Sequence, residues 1–442
     1  MKPFDVAVIG GGVLGCFAAR NLIRYRLRAI LLEAAEDVCT GITRANTAVV
    51  YPGYDNRPGS LKAALTVRAN AAFGDLCAAL DVPFSRCGSL MTAWGPRGEA
   101  VLSKKQEQGR RNGVPGLRLL TGDEARDIEP MLSPEVTAAL FAPTAGTVNP
   151  WQLGIAAWEN ARANGCETVL NAPVLAMARA GDVYHIETAR GTVAARAVVN
   201  CAGLGAAAVQ DMLFPSTVRL RLDGADLVVF DALSPRPSHI VFEESEAGKG
   251  VTAVPCTEGN LLMDSPPRPY RPDFATTREG LETIRKQGKR LLPGLDFGAV
   301  IRSFGAVRPN LEAADGRNIP DFCLQRPAPG FWSLLGVKTP GLTCADELGA
   351  LVAKECAAWL GAETAPDFRP ERRAIRTAPG SPLVCRCQGV SRDDVIEAIR
   401  RGATTVDGVK RRVGTGMGPC QGSRCAYEIE QLLREYGHDG TV

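Results

Sequence analysis

The chain opens on an unbroken apolar run, Val6-Ala7-Val8-Ile9, which stops at three glycines and resumes at helical spacing from Val13 towards Leu22. A second run, Ala29-Ile30-Leu31-Leu32, ends on Glu33. Short apolar runs without alternation suit strands buried on both faces, so this order predicts a parallel strand–helix–strand unit. Further on, the spacing predicts helices from Pro58 to about Leu80, around Lys104 to Arg111, and from Trp151 to Asn164. A buried strand from Ala197 to Ala202 again ends on glycines, Gly203-Leu204-Gly205, before a helix that stops at Phe214-Pro215, since proline cannot continue it. Arg219 to Phe230 and His239 to Leu262 are strand-rich, an antiparallel sheet with turns at Gly248-Lys249-Gly250 and Glu258-Gly259-Asn260. A helix over Thr276 to Leu292, strands at Val300 to Pro309 and Phe331 to Gly336, and a helix from about Ala345 to Leu360 follow.

The first glycine turn carries chemistry. Gly10 permits the tight turn, Gly12 lets the backbone approach a pyrophosphate, and Gly15 lets helix and strand pack closely. The helix start at Val13 and Leu14 would face the phosphates with unpaired N–H groups. Glu33 stands at the usual distance for an acid that binds a ribose hydroxyl. The loop that follows, including Thr43, Arg44 and Asn46, is small and polar, which suits a second cofactor portion such as an isoalloxazine ring. The nucleotide fold completes itself only at the Ala197 strand, roughly 170 residues after Glu33, an insertion that suits a flavin enzyme better than a nicotinamide one. The fold class expected is α/β: a Rossmann-type FAD-binding fold with an inserted mixed or antiparallel substrate sheet, plus a small C-terminal helical module.

Composition narrows this little. A net charge of +3 over 442 residues gives no basis for a nucleic-acid surface. The apolar start contains the glycine turn and lacks a cleavage site, so it does not read as a signal peptide. The longest weakly charged run, Ala197 to Phe214, holds Asn200, Gln210 and Asp211 and does not read as a membrane span. A cytoplasmic protein, or one held peripherally at the inner membrane face, is expected. Ten of the 14 cysteines show no spacing pattern and read as small buried hydrophobes.

The other four are Cys385-Arg386-Cys387 and Cys420-Gln421-Gly422-Ser423-Arg424-Cys425. Four thiolates in a short module suit a [2Fe–2S] cluster or zinc. The one-residue gap in the first pair is shorter than structural zinc sites use. The basic run Lys410-Arg411-Arg412 between the pairs would either offset the charge of a cluster or form a solvated face. Phe368 to Pro382 is rich in Pro and Arg without periodicity and reads as a linker. The expected division is therefore 1–365, a linker over 366–382, and a module over 383–442.

The first 360 residues resemble the FAD-dependent family that includes glycerol-3-phosphate dehydrogenases, L-2-hydroxyglutarate oxidases and glycine-oxidase-like enzymes. The matching segments are the Gly10–Gly15 turn with Glu33, Thr43-Arg44-Ala45-Asn46, Pro58-Gly59-Ser60-Leu61-Lys62 and Asn200-Cys201-Ala202-Gly203. Val307-Arg308-Pro309 and Gly336-Val337-Lys338-Thr339-Pro340-Gly341-Leu342-Thr343 match as well. The resemblance implies non-covalent FAD, with the loop of Gly336, Val337, Gly341, Leu342 and Thr343 over the pyrimidine side and Val174, Ala202 and Gly203 at the adenosine side. It also implies anion binding by Arg308 and Lys338, where a guanidinium fork can hold a phosphate or carboxylate bidentately. A structural pairing of Arg308 with Asp315 is the alternative. His239 resembles a histidine of the related dehydrogenases that would take the substrate hydroxyl proton, with Tyr51 as a second candidate. The chain departs from relatives at Tyr51-Pro52, where His-Ala is frequent, and near Asp264-Ser265-Pro266, where Gly-Pro-Thr is frequent.

The C-terminal cysteines, with Gly416-Met417-Gly418-Pro419 ahead of the second pair, resemble the bacterioferritin-associated-ferredoxin-like [2Fe–2S] domain. The resemblance implies cluster ligation by Cys385, Cys387, Cys420 and Cys425. The function expected is a flavin dehydrogenase that oxidises a small anionic hydroxy substrate, glycerol 3-phosphate above others. Its electrons would leave through the cluster to an external acceptor, a quinone or a redox partner protein, with partner subunits conceivable. A 2-hydroxy acid, or an amine or amino acid as in opine-oxidase-like subunits, is the alternative substrate. A non-catalytic electron-transfer subunit is the alternative of another class.

Overall fold

A computed structural model describes residues 2–245, 248–271, 274–376 and 380–439. The opening strand, Phe4–Ile9, lies at the centre of a sheet of eight strands. It pairs in parallel with Ala29–Leu32 on one side and with Gly191–Asn200 on the other. Phe331–Leu335 pairs in parallel beyond the latter. Every residue of Ala29–Leu32 and of Phe331–Leu335 is buried, which explains why these strands read as continuous apolar runs. The helices Val13–Leu22, Pro150–Ala163 and Ala345–Leu360 share a core with this sheet through Phe17, Leu22, Trp158 and Val352.

The second sheet is the inserted one. Its strands Val300–Ala313, Val218–Phe230, Leu261–Asp264, Gly248–Pro255, Ile240–Ser245 and Ser89–Ala93 lie side by side in that order. The pairing is antiparallel except between Ile240–Ser245 and Ser89–Ala93, so the sheet is mixed. One expected turn is displaced. Gly248, Lys249 and Gly250 belong to a strand, with Gly248 paired to Ser245. A glycine-rich triplet signals a break only where side chains are wanted elsewhere in the ladder, and here Glu243 fills the space beside Gly250.

Residues 383–439 form a small helical unit around Val395, Ile399, Val409, Ile429 and Leu433. Residues 377–379 of the expected linker and 440–442 lie outside the described residues. The unit is pinned to the flavin-side domain by buried ion pairs. Arg412, wholly buried, grips Asp37 with both terminal nitrogens at 2.7 and 2.9 Å, and Arg411 adds a third bond at 3.1 Å. Glu159 receives Arg372 at 2.7 Å and Arg401 at 3.2 Å. The basic run is thus neither a solvated face nor simply a counter-charge to the cysteines. Arg411 and Arg412 turn inward because their acid lies some 375 residues away in sequence. Among the described residues, no helix is long and apolar enough to cross a membrane.

Candidate active site

A cavity of about 590 Å³ opens between the two sheets, within the range of cofactor and ligand sites. Its floor is the first glycine turn. Gly15 packs so closely on Gly10 that a Cβ there would stand 1.8 Å from the Gly10 carbonyl oxygen. Gly12 caps the helix Val13–Leu22, and the first turn of that helix carries no acid. Its dipole therefore points into the cavity uncompensated, a ready anion site. Thr43 accepts from the Val13 amide at 3.0 Å and ties the flavin-side loop to this helix. Glu33 accepts from the amides of Gly11 and Ala35 at 2.5 and 2.8 Å. Burial raises the Glu33 carboxyl, against the lowering effect of those amides.

Of the expected cofactor residues, Gly10, Gly12, Val13, Leu14, Glu33, Thr43, Arg44 and Asn46 line the cavity. So do Val174, Ala202, Gly203, Val337, Gly341 and Leu342. Gly15, Gly336 and Thr343 stand behind the wall and shape it. Gly336 lies against Leu311, and Thr343 accepts the Tyr51 amide at 3.0 Å. Segments separated by hundreds of residues thus enclose one elongated space whose glycine floor and adjacent acid fit a dinucleotide.

Arg308, Lys338 and Tyr51 also line it. Arg308 does not pair with Asp315, whose carboxylate holds Arg317. It stands opposite Asp223 in the antiparallel register, but that acid is taken by Arg221 at 2.5 Å and Asn310 at 2.7 Å. Among the described residues the Arg308 side chain makes no hydrogen bond or ion pair. Lys338 donates to the Asn310 side-chain oxygen. Burial, and then Arg308, lower its pKa. Lys62, beside Lys338, is brought down to about 8 by burial and then by the Lys338 charge. Positive charge is therefore concentrated at one end of the cavity without enough acid to offset it.

His239 is elsewhere. Its Nδ1 lies 3.3 Å from buried Glu129 and 2.8 Å from the Ser238 hydroxyl, and its ring packs edge-on against Phe141. It does not line the cavity, and the acid that holds it lies 110 residues earlier. Asp264 is a wall residue that sequence reasoning noted only as a departure from relatives. Its signal was a charge at the end of an otherwise apolar strand, Leu261–Asp264.

The four cysteines of the small unit converge in two pairs. Cys387 and Cys420 are 3.9 Å apart, close to the roughly 3.8 Å that two sulfurs span on one tetrahedral metal at about 2.3 Å. Cys425 lies near Cys385, which adds to the burial that raises its thiol. A Cβ on Gly418 would stand 2.5 Å from that of Cys387, so this glycine makes room for the thiols. The Gly422 amide lowers the Cys420 thiol, whereas the neighbouring Cys420 raises Cys387 and burial raises Cys425 to about 11. The pairs suit a binuclear cluster, with two thiolates for each iron. By contrast, burial pushes Cys201 and Cys356 up to about 12, as expected of inert core thiols.

A dinucleotide cradle facing a mixed substrate sheet, with a four-cysteine unit docked beside it, defines a flavin- and iron–sulfur-dependent oxidoreductase. The chain belongs to the FAD dependent oxidoreductase family, whose model matches residues 5–355, and a BFD-like [2Fe-2S] binding domain matches residues 383–435. It binds FAD and a [2Fe–2S] cluster. It is similar to a glycerol 3-phosphate dehydrogenase of Caloramator mitchellensis, 34% identical over 99% of this chain and 95% of that protein. It is 26% identical to a mitochondrial L-2-hydroxyglutarate dehydrogenase of Arabidopsis thaliana, covering 79% of this chain and 83% of that one. In fold it resembles a dithionite-reduced L-α-glycerophosphate oxidase of Mycoplasma pneumoniae with FAD bound. That match has a TM-score of 0.77 and 22% identity, and covers 84% of this chain and 99% of that one.

Proposed function

We propose that the protein is a dehydrogenase of glycerol 3-phosphate that delivers electrons through its cluster to an external acceptor, a quinone or a redox protein. The observation that carries this reading is Arg308, whose side chain faces the flavin cavity with no partner among the described residues, beside Lys338, whose pKa is lowered by burial and then by Arg308. A guanidinium fork and an ammonium, both donors only, suit a phosphate. Such a pair left without an acid is costly until an anion fills the gap. The relative with near-full coverage bears the same substrate in its name. When bound, FAD supplies a two-electron acceptor and the cluster a one-electron exit. The residues of the chain bind, orient and exclude water. Arg308 and Lys338 fix the anionic end, while Leu227, Ala225 and Phe274 form an apolar wall beside it. Tyr51 closes that space from the other side, stacked against Phe242 with ring centres 6.1 Å apart. His239 takes no part in this reading.

The two domains would transfer electrons at fixed geometry, because the Arg411–Arg412–Asp37 contact leaves the cluster unit no freedom to swing. The helix Pro150–Ala163 touches both sites: Trp151 donates to the Arg44 carbonyl in the cavity wall, and Gln152 to that of Arg412. The test is anaerobic bleaching of the flavin by a panel of substrates. Glycerol 3-phosphate should bleach it fastest. Faster bleaching by a 2-hydroxy acid or an amino acid would replace the reading.

A further inference from the structure

We propose that the exposed edge of the four-cysteine unit is the docking surface of an acidic one-electron carrier protein, and that Arg386 and Arg424 recognise its carboxylates. The inference rests on the reading above for the exit of electrons through the cluster, names the acceptor that reading left open, and is independent of the substrate.

The four cysteines are not equally placed. Cys385 and Cys425 are each 2% exposed and belong to the core of the unit. Cys387 is exposed and Cys420 partly buried, and these two are the pair 3.9 Å apart. A cluster on these thiols would therefore present one edge to solvent, on the side of Cys387 and Cys420. Single-electron transfer weakens steeply with distance, so an acceptor has to be seated on that edge.

The charge around the edge has one sign. The segments 383–390 and 414–425, which carry the cysteines, contain no Asp or Glu. Arg386 lies between Cys385 and Cys387, and Arg424 directly precedes Cys425. Both are exposed, and among the described residues neither side chain makes a hydrogen bond or ion pair. Two further exposed arginines lean on the same segments without an acid. Arg376 donates to the carbonyls of Gln388 and Gly389 at 3.1 and 2.7 Å, and Arg302 reaches the Gln421 side-chain oxygen at 3.5 Å. Glu428, three residues beyond Cys425, forms no ion pair with any of the four among the described residues. Tyr427, two residues beyond Cys425, is 73% exposed. Arg and Tyr are the residue types that protein interfaces favour.

The chemistry of the partner follows from that charge. A rim of one sign steers an oppositely charged surface into place and repels a like one. A quinone head group is neutral and binds in an apolar cleft, so a charged rim does not select it. In each turnover, oxidation of the substrate alcohol to a ketone releases two electrons and two protons. Two oxidised carriers would each take one electron, and the protons would pass to solvent.

The experiment uses the oxidised holoenzyme without substrate and two haem proteins as probes. They are cytochrome b5, whose haem edge is ringed by carboxylates, and cytochrome c, whose haem edge is ringed by lysines. Calorimetric titration at low and at physiological ionic strength measures the dissociation constants. Cytochrome b5 should bind at least about tenfold more tightly than cytochrome c, and its binding should weaken as salt rises. Arg386→Gln with Arg424→Gln should weaken cytochrome b5 binding by about tenfold and flatten its salt dependence. Arg386→Glu with Arg424→Glu should reverse the preference between the two probes. Flavin and iron content are measured beforehand, and the two single Gln variants, each with an intermediate loss, carry the test where a double variant loses its cluster. Equal affinity for the two cytochromes, or a preference unmoved by the variants, overturns the docking surface. Binding of neither overturns it as well, and saturable binding of a short-chain quinone in that case moves the exit to a quinone. Failure of glycerol 3-phosphate to bleach the flavin would sink the substrate assignment alone, because no arm of this test uses substrate.

Discussion

Two groups of arginines in this protein meet opposite fates. Arg411 and Arg412, at the seam between the cluster unit and the flavin domain, are buried against Asp37, which Arg412 holds with both terminal nitrogens and Arg411 with one. Arg308, in the flavin cavity, is left without an acid although Asp223 stands opposite it in the ladder. The difference separates cohesion from recognition. A buried charge that finds its counter-charge within the chain holds two parts together, whereas one facing a cavity without a partner is completed by something the chain does not contain.

The comparison can be broken first at the seam. Asp37→Asn keeps the shape but leaves buried Arg412 with Glu159 alone, whose carboxylate oxygen lies 3.9 Å from its Nε. Breaking a buried pair in this way costs about 3–5 kcal/mol. Urea denaturation monitored through the cluster absorbance would measure it, and a loss below about 1 kcal/mol would mean the seam is held by packing alone. At the cavity, Arg308→Ala should weaken glycerol 3-phosphate binding by about one to two orders of magnitude, from a charge-assisted interaction of roughly 1.5–3 kcal/mol. Arg308→Lys should recover little, since a point charge cannot reproduce the fork. Flavin content should be unaltered in both variants. Unchanged affinity would make Arg308 a wall residue only.

The two sites should also answer pH differently. Burial alone would raise the Asp37 carboxyl, but Arg412 and then Arg411 overcome it and hold the group below its usual range. A depressed folded value means that the seam stabilises the protein fully above the unfolded carboxyl value near 4. That contribution is lost as pH falls through the lower folded value. The stability gap between wild type and Asp37→Asn should accordingly close in acid, which a pH series of denaturation curves would reveal. At the cavity the direction is set by Lys338, lowered by burial and Arg308, and by neighbouring Lys62 outside the wall, at about 8. An arriving anion favours their charged forms, so binding at pH 8 should take up protons. Calorimetry in buffers of different ionisation enthalpy would detect it, and binding without proton exchange would show that the lysines do not sense the ligand. The smallest effect expected is at Arg317→Ala. Its pair with Asp315 is exposed on both sides, and such pairs are largely screened. A resolvable shift in the denaturation midpoint would argue against treating exposure as the dividing line.

Patterns local in sequence were legible in advance. The glycine turn with Glu33, the buried parallel strands, the paired cysteines and the long helices each depend on residues a few positions apart, where backbone geometry and apolar periodicity suffice. The Gly248 turn was misread because glycine spacing alone does not say which residue of a hairpin leaves the ladder. His239 was expected to act on substrate. Its partner Glu129 lies 110 positions earlier, and only the folded chain brings the two together away from the cavity.

By itself the sequence determined that this chain would build a dinucleotide cradle and a four-thiol unit, since both are written in short-range spacing. The tertiary structure decided which charges are spent within the chain and which remain for a ligand. Arg308 stands alone between Val307 and Pro309 and Arg412 ends a basic run, yet neither setting says whether a carboxylate will reach the guanidinium. Their difference lies in whether folding delivers a carboxylate across a long separation, as Asp37 is delivered to Arg412. Asp264 follows the same rule in the opposite sign: folding delivers Lys249 to one oxygen and leaves the other buried without a partner among the described residues.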